Sequence, residues 1–236
     1  MSIMEAQIAA AKISKYASSE SGDTLEMIER PGGGLSFVLS DGQLSGKSAK
    51  VISNAVCRKA ISLLAEGVRD GAAARAASDY LFTYRAGKVL ATLNILSIDL
   101  TSQTLVITRN NPAPVVLLRE REISLLDAPV DAVGTRRGIR PAIQEIPLAP
   151  HLAAIVFTDG LMYAGERRGI HLDLPALIAE LAAGGDPQPR QWADWLLERA
   201  LQLEEGRPAD DITILVAAIL PNCSDIARRL SVSMPL

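Results

Sequence analysis

Two near-identical tripeptides, Ser40-Asp41-Gly42 and Thr158-Asp159-Gly160, each close an apolar run, and a third acidic spot, Asp210-Asp211, opens another. Carboxylates at strand ends stand on rigid supports, where several can converge on one cation. Hard divalent ions such as Mg²⁺ and Mn²⁺ take carboxylate, carbonyl and water oxygens in preference to thiolate or imidazole. The chain supplies Asp at these points and holds only 2 His and 2 Cys in all. The chemistry to expect is that of an oxygen-lined divalent site. An Asp-Gly after a strand is most often a plain turn, so the ordered recurrence carries the weight.

The elements that hold these residues are legible as patterns. Leu35–Leu39, Ala153–Phe157 and Ile212–Val216 are short runs rich in β-branched and aromatic residues, bounded by Gly, Asp or Pro, and read as buried strands. Further strands are predicted over 6–17, 24–30, Val89–Asp99, Thr104–Arg109, Val115–Arg119, Glu122–Leu125 and Ile143–Ile146. The run after Asp211 extends to Ile219, and the tail Arg228–Met234 reads as an added edge strand. From Ser45 the period changes: Ile52, Val56, Ala60 and Leu63 recur at helical spacing. A second helix is predicted over Ala72–Tyr84, and two more over Pro175–Ala183 and Gln191–Leu203, the last with Trp192, Trp195 and Leu196 on its apolar face. Two helices, a block of strands and two more helices make an α+β chain. The economical layout is two antiparallel sheets packed together with helices outside, in one domain spanning 1–236.

Composition narrows the function. With 236 residues, 48% hydrophobic and 22% charged, the chain can bury a sizeable core. A net charge of −3 gives no electrostatic case for nucleic acid, and no apolar stretch approaches a membrane span. Aromatics at 4% speak against base-stacking or carbohydrate platforms. The start lacks a basic, then apolar, leader, and Cys57 and Cys223 are isolated thiols, so a reducing, cytoplasmic address is the simplest expectation.

The segment Asp41-Gly42-Gln43-Leu44-Ser45-Gly46-Lys47-Ser48-Ala49 resembles the Asp-Gly-x-x-x-Gly-x-x-Ala motif of SpoIIE-type serine/threonine phosphatases, within the metal-dependent protein phosphatase 2C (PPM) superfamily. Gly22-Asp23 resembles that family's earlier Gly-Asp, Phe157-Thr158-Asp159-Gly160 its late Thr-Asp-Gly, and Ala209-Asp210-Asp211-Ile212-Thr213 its terminal Asp-Asp-Ile-Thr. The ordered set runs from Gly22 to Ile219. The resemblance implies a four-layer α-β-β-α sandwich with two Mn²⁺ or Mg²⁺ ions between the sheets. It implies that Asp41 bridges both ions and Gly42 lends its carbonyl to one, that Asp159 and Asp210 hold the other, and that Asp23 binds directly or through water. Asp41, Asp159 and Asp210 are then the catalytic set, and a metal-activated hydroxide hydrolyses phosphoserine or phosphothreonine without a covalent phosphoenzyme. Also implied is a phosphorylated protein substrate of the kind found among STAS-domain regulators of bacterial partner-switching pathways; composition adds the expectation of no nucleic-acid or membrane partner. The chain is most similar in layout to stand-alone members.

Several positions depart from the family pattern. Leu44 stands where a small residue is frequent, Arg109-Asn110-Asn111-Pro112 where Gly-His-Asn-Pro is common, and Tyr163 where a Glu often follows. They keep open an alternative: a phosphatase-like module with little or no turnover that binds a regulatory partner. Of the remaining residues, Asp211 is expected to orient neighbours, Ser45 and Ser48 to start a helix, and Gly46 to allow close packing. Cys57 reads as core, Arg119–Glu122 as a solvated hairpin tip, and His151 and His171 lie outside every motif.

Overall fold

Alternating and continuous apolar runs sort the strands into two five-stranded antiparallel sheets. The computed structural model describes residues 4–221 and 227–234. The first sheet has the order β1 (Met4–Ile13), β10 (Ile212–Pro221), β9 (Leu152–Phe157), β6 (Val115–Arg119), β7 (Glu122–Leu126). The second has β2 (Asp23–Glu29), β3 (Leu35–Asp41), β4 (Leu93–Asp99), β5 (Thr104–Asn110), β8 (Ala142–Pro147). Helices α1 (Gly46–Ala65) and α2 (Asp70–Arg85) cover the second sheet, and α4 (Leu174–Ala183) and α5 (Pro189–Leu203) cover the first. A single turn, α3 (Asp159–Met162), follows β9. The result is the expected α-β-β-α sandwich.

Strands buried on both faces explain the unbroken apolar runs. In β3, Phe37 and Leu39 join the core between the sheets, while Val38 faces α1 and α2. In β10, Leu215, Ala217 and Ile219 point between the sheets, and Ile214, Val216 and Ala218 meet the layer formed with α5. In α1 the core residue of the last turn is Leu64, with Leu63 only half-buried, because the buried stripe steps by four through 52, 56, 60 and 64.

Other boundaries differ from the pattern for identifiable reasons. Residues 14–17 leave β1 through a turn with Ala17 at φ 61°. Residues 89–92 fall outside β4, where Ala91 makes isolated bridges to Gly42 and Val133 instead. Helix α2 starts two residues early, at Asp70, whose carboxylate is buried against Arg30 at 2.6 Å and accepts from the Ser97 hydroxyl. The edge strand expected over Arg228–Met234 is not formed: the described residues 227–234 join no sheet, and Leu230, Val232 and Met234 are exposed. Alternation sets which side chains share a face, but a strand also needs a ladder to join. Cys223 lies outside the described residues, while Cys57 is buried in the core. No helix among the described residues is long and apolar enough to cross a membrane.

The β3–α1 loop departs from expectation at two places. Gly46 is required by its backbone (φ +59°), not by packing, since a Cβ there would approach nothing closer than Ser18 Oγ at 3.8 Å. Ser45 occupies the N-cap position without a side-chain cap bond. Leu44 is 69% exposed at φ 86°, a conformation that costs a branched residue about 1 kcal/mol and glycine almost none. Leu44→Gly is therefore expected to raise the melting temperature by about 3 °C, read by calorimetry; an unchanged or lower value would show the loop to be unstrained.

Candidate active site

Asp23 opens β2 and Asp41 closes β3, and the two stand directly opposite in register. Asp159 begins α3 as the chain leaves β9, and Asp210 precedes β10, the neighbour of β9. Each sheet thus contributes two carboxylates to the same end of the sandwich. Asp41 has the strand parity of Phe37 and Leu39, so it belongs to the inter-sheet face. Burial is graded: Asp23 is fully buried, Asp41 and Asp159 are half-buried, and Asp210 is exposed.

The sheets are joined at this end by hydroxyls. Thr158 and Thr213, from the first sheet, donate to Asp23 Oδ2 at 3.0 and 2.6 Å. The other oxygen, Oδ1, is buried and has no hydrogen-bond partner. The Asp23 main chain is equally constrained. Its N–H donates to Ser21 Oγ at 3.2 Å, and its carbonyl accepts from Lys12 Nζ at 2.7 Å and Lys50 Nζ at 2.6 Å. Burial and the adjacent Lys50 ammonium lower the pKa of Lys12.

Asp211 turns away to a different task. It accepts from the Lys15 N–H at 2.8 Å and the Gly22 N–H at 2.7 Å, tying the β1–β2 connection to the start of β10. Two glycines permit the backbones to close in. A Cβ on Gly42 would lie 2.1 Å from the Ala49 carbonyl oxygen, and one on Gly160 would lie 2.1 Å from that of Asp211. The Gly42–Ala91 bridge is closed by Thr92 N–H to Asp41 O and Gln43 N–H to Leu90 O, which leaves the Gly42 carbonyl outside that ladder.

The electrostatics are those of crowded like charges. Burial, followed by the charges of Asp23, Asp159 and Asp210, pushes the Asp41 carboxyl up to about 9. Burial raises Asp23 to about 6 against the opposing hydrogen bonds of Thr213 and Thr158. Asp159 is raised by burial and then by Asp210. Among the described residues no three His, Cys, Asp or Glu side chains close into a ready cage. The four carboxylates share one electrostatic field, and a side-chain hydrogen bond with Asp23 holds the Asp41 carboxyl up further.

The donor set fits a hard divalent cation on three counts: it is all oxygen, Asp23 Oδ1 is buried without a donor, and the raised carboxyls mark a deficit of positive charge. Sequence reasoning assigned no role to Thr158, Thr213, Lys12 or Lys50. The two threonines sit inside motifs already singled out, whereas nothing in the pattern marks the lysines. Of the departures, Arg109 is buried and donates to the carbonyls of Asn111 and Ala128, and Asn111 Nδ2 reaches the Phe157 carbonyl at 3.3 Å. This segment braces the end of β9 just before Thr158. His151 pairs with Asp186 at 2.9 Å at the opposite end of β9.

A family model, Stage II sporulation protein E (SpoIIE), matches residues 31–220. The chain belongs to the SpoIIE family. The match includes Asp41, Thr158, Asp159, Asp210 and Thr213, while Asp23 precedes it. Among SpoIIE relatives, Stage II sporulation protein E of Priestia megaterium is 21% identical over 203 residues, covering 86% of this chain and 34% of that protein. The Bacillus subtilis protein of the same name is 22% identical over 210 residues, covering 89% of this chain and 25% of that one. The chain thus spans about a third and a quarter of these two relatives. The solved PP2C phosphatase domain of Bacillus subtilis SpoIIE, with a fragment of its regulatory domain, superimposes with TM-score 0.78 at 20% identity, over 94% of this chain and 65% of that one. The catalytic domain of the serine threonine protein phosphatase PstP, in complex with 2 manganese ions, gives 0.67 at 16% identity over 92% and 100%. The SpoIIE-family chain therefore has the PP2C-type phosphatase fold.

Proposed function

We propose that this SpoIIE-family chain is a metal-dependent protein serine/threonine phosphatase, folded as one domain. The observation that carries the reading is the gathering of Asp23, Asp41, Asp159 and Asp210 from two sheets at one end of the sandwich, with Asp23 Oδ1 unpartnered and Asp41 pushed up to about 9. In this reading Asp23, Asp41, Asp159, Asp210 and the Gly42 carbonyl hold two Mn²⁺ or Mg²⁺ ions. When bound, such ions supply Lewis acidity toward a phosphoryl group and activate water at neutral pH.

The chain's own residues do the rest. Asp41, between the charges of Asp23 on its own sheet and of Asp159 and Asp210 on the other, must lose its proton when cations bind. Thr158 and Thr213 keep Asp23 from rotating, and Asp211 holds the preceding loop in place. Asp210, exposed at the mouth, lies where a phosphoryl group on another protein can approach. A phosphoserine or phosphothreonine on a small regulator of the STAS type is the substrate class we favour, with a cytoplasmic address.

The test is hydrolysis of a phosphoserine peptide with millimolar Mn²⁺ and after chelation. Turnover that is present with Mn²⁺ and lost at least about a hundredfold on chelation supports the reading. Turnover indifferent to chelation overturns it. Cation binding without turnover on any phosphopeptide would instead leave a partner-binding module on the same fold.

A further inference from the structure

Asp23 is unlike the other three carboxylates because its two oxygens have different fates. Oδ2 accepts from Thr158 Oγ1 at 3.0 Å and Thr213 Oγ1 at 2.6 Å. A carboxylate oxygen has about two lone-pair sites, so both of those on Oδ2 are taken. Oδ1 is buried without an N–H or hydroxyl donor, and the Asp41 carboxyl stands within hydrogen-bonding reach of Asp23. The main chain beneath it is held by Ser21, Lys12 and Lys50, from the preceding loop, β1 and α1, so the carboxylate is presented from a fixed point and the two hydroxyls always have one of its oxygens.

We infer that Thr158 and Thr213 set the cation selectivity of the site by restricting Asp23 to a single donor oxygen. The inference rests on the metal-site reading above and extends it to two residues outside the ligand set. Mg²⁺, and Mn²⁺ in the same kind of site, suit one-oxygen carboxylate ligands in a compact six-coordinate arrangement. Ca²⁺ takes six to eight oxygens and gains from carboxylates that offer both. A hydroxyl pair that occupies Oδ2 therefore acts against Ca²⁺ while leaving the smaller ions unaffected. Thr158 and Thr213 are positioning residues here: they touch Asp23, not the reacting atoms.

The experiment is equilibrium binding of Mn²⁺ and of Ca²⁺, each as the sole cation, to the full chain and to Thr158→Val and Thr213→Val made singly. Circular dichroism confirms folding, and alanine at either position serves if valine unfolds the chain. The wild-type protein is expected to bind Mn²⁺ more tightly than Ca²⁺. Each hydroxyl deletion should narrow that preference about tenfold, chiefly by strengthening Ca²⁺, while Thr→Ser at the same positions retains it. A preference unmoved in folded hydroxyl-deletion variants, or narrowed equally by serine, overturns the inference and leaves the metal site standing. Failure of the wild-type protein to bind either cation overturns both.

Discussion

Asp41→Asn is expected to reduce Mn²⁺-dependent phosphopeptide hydrolysis by at least about a thousandfold, equivalent to ~4 kcal/mol of transition-state stabilisation. The same substitution should make the cation-free protein more stable at neutral and alkaline pH. Asp41 carries a proton in the folded chain up to about pH 9, against an ordinary value of 3.8, chiefly because of burial and then because of Asp23, Asp159 and Asp210. Between those two values the folded state binds more protons than the unfolded one, so stability falls as pH rises through that window and is highest below it. Asparagine keeps the shape and removes the charge. Melting curves in chelator at pH 5 and pH 8 should therefore show a large loss for the wild-type protein and a smaller one for Asp41→Asn. Added Mn²⁺ should stabilise the wild-type protein far more than the variant. Equal pH slopes for the two proteins would show that the Asp41 carboxyl is not raised in the folded chain.

Gly42→Ala is expected to be strongly destabilising for the addition of a single methyl group. The added carbon would lie 2.1 Å from the Ala49 carbonyl oxygen and 2.9 Å from its carbonyl carbon, both main-chain atoms of α1. Backbone cannot step aside as a flexible side chain can, so α1 or the end of β3 has to move. The cost is at least about 3 kcal/mol, a fall of ~10 °C in melting temperature or loss of soluble protein. Displacement of α1 also disturbs the Lys50 contact to the Asp23 carbonyl, so surviving protein should bind Mn²⁺ poorly. A variant with wild-type melting temperature and Mn²⁺ affinity would show that the helix has room to retreat.

The layers were readable because each carries a distinct physical signature. Continuous runs such as Leu35–Leu39 and Ala153–Phe157 exist where both faces of a strand are covered, and the stripe from Ile52 to Leu64 marks one buried side of a helix. The acidic motifs were visible through their ordered recurrence, since a lone Asp-Gly after a strand is most often a plain turn. Their assignment as ligands came from resemblance, and what the structure adds is their placement. The supporting residues were hidden for a physical reason. A threonine in Ile212-Thr213-Ile214 has the form of any β-branched strand residue, and only the three-dimensional register turns its hydroxyl toward a carboxylate 190 positions earlier. Lys12 and Lys50 likewise resemble ordinary charged residues until two elements bring them to the same carbonyl. The tail Arg228–Met234 shows the converse failure, a strand pattern with no sheet to join.

The order of strands in the first sheet has a consequence for synthesis. β1, made first, pairs only with β10, which is made last of the ten and also pairs with β9. On the ribosome β1 must wait without a neighbour for some two hundred residues, a long exposure for an unpaired strand. Asp210 and Thr213 arrive with that final strand, so on the proposed reading the metal site stays incomplete until β10 has emerged.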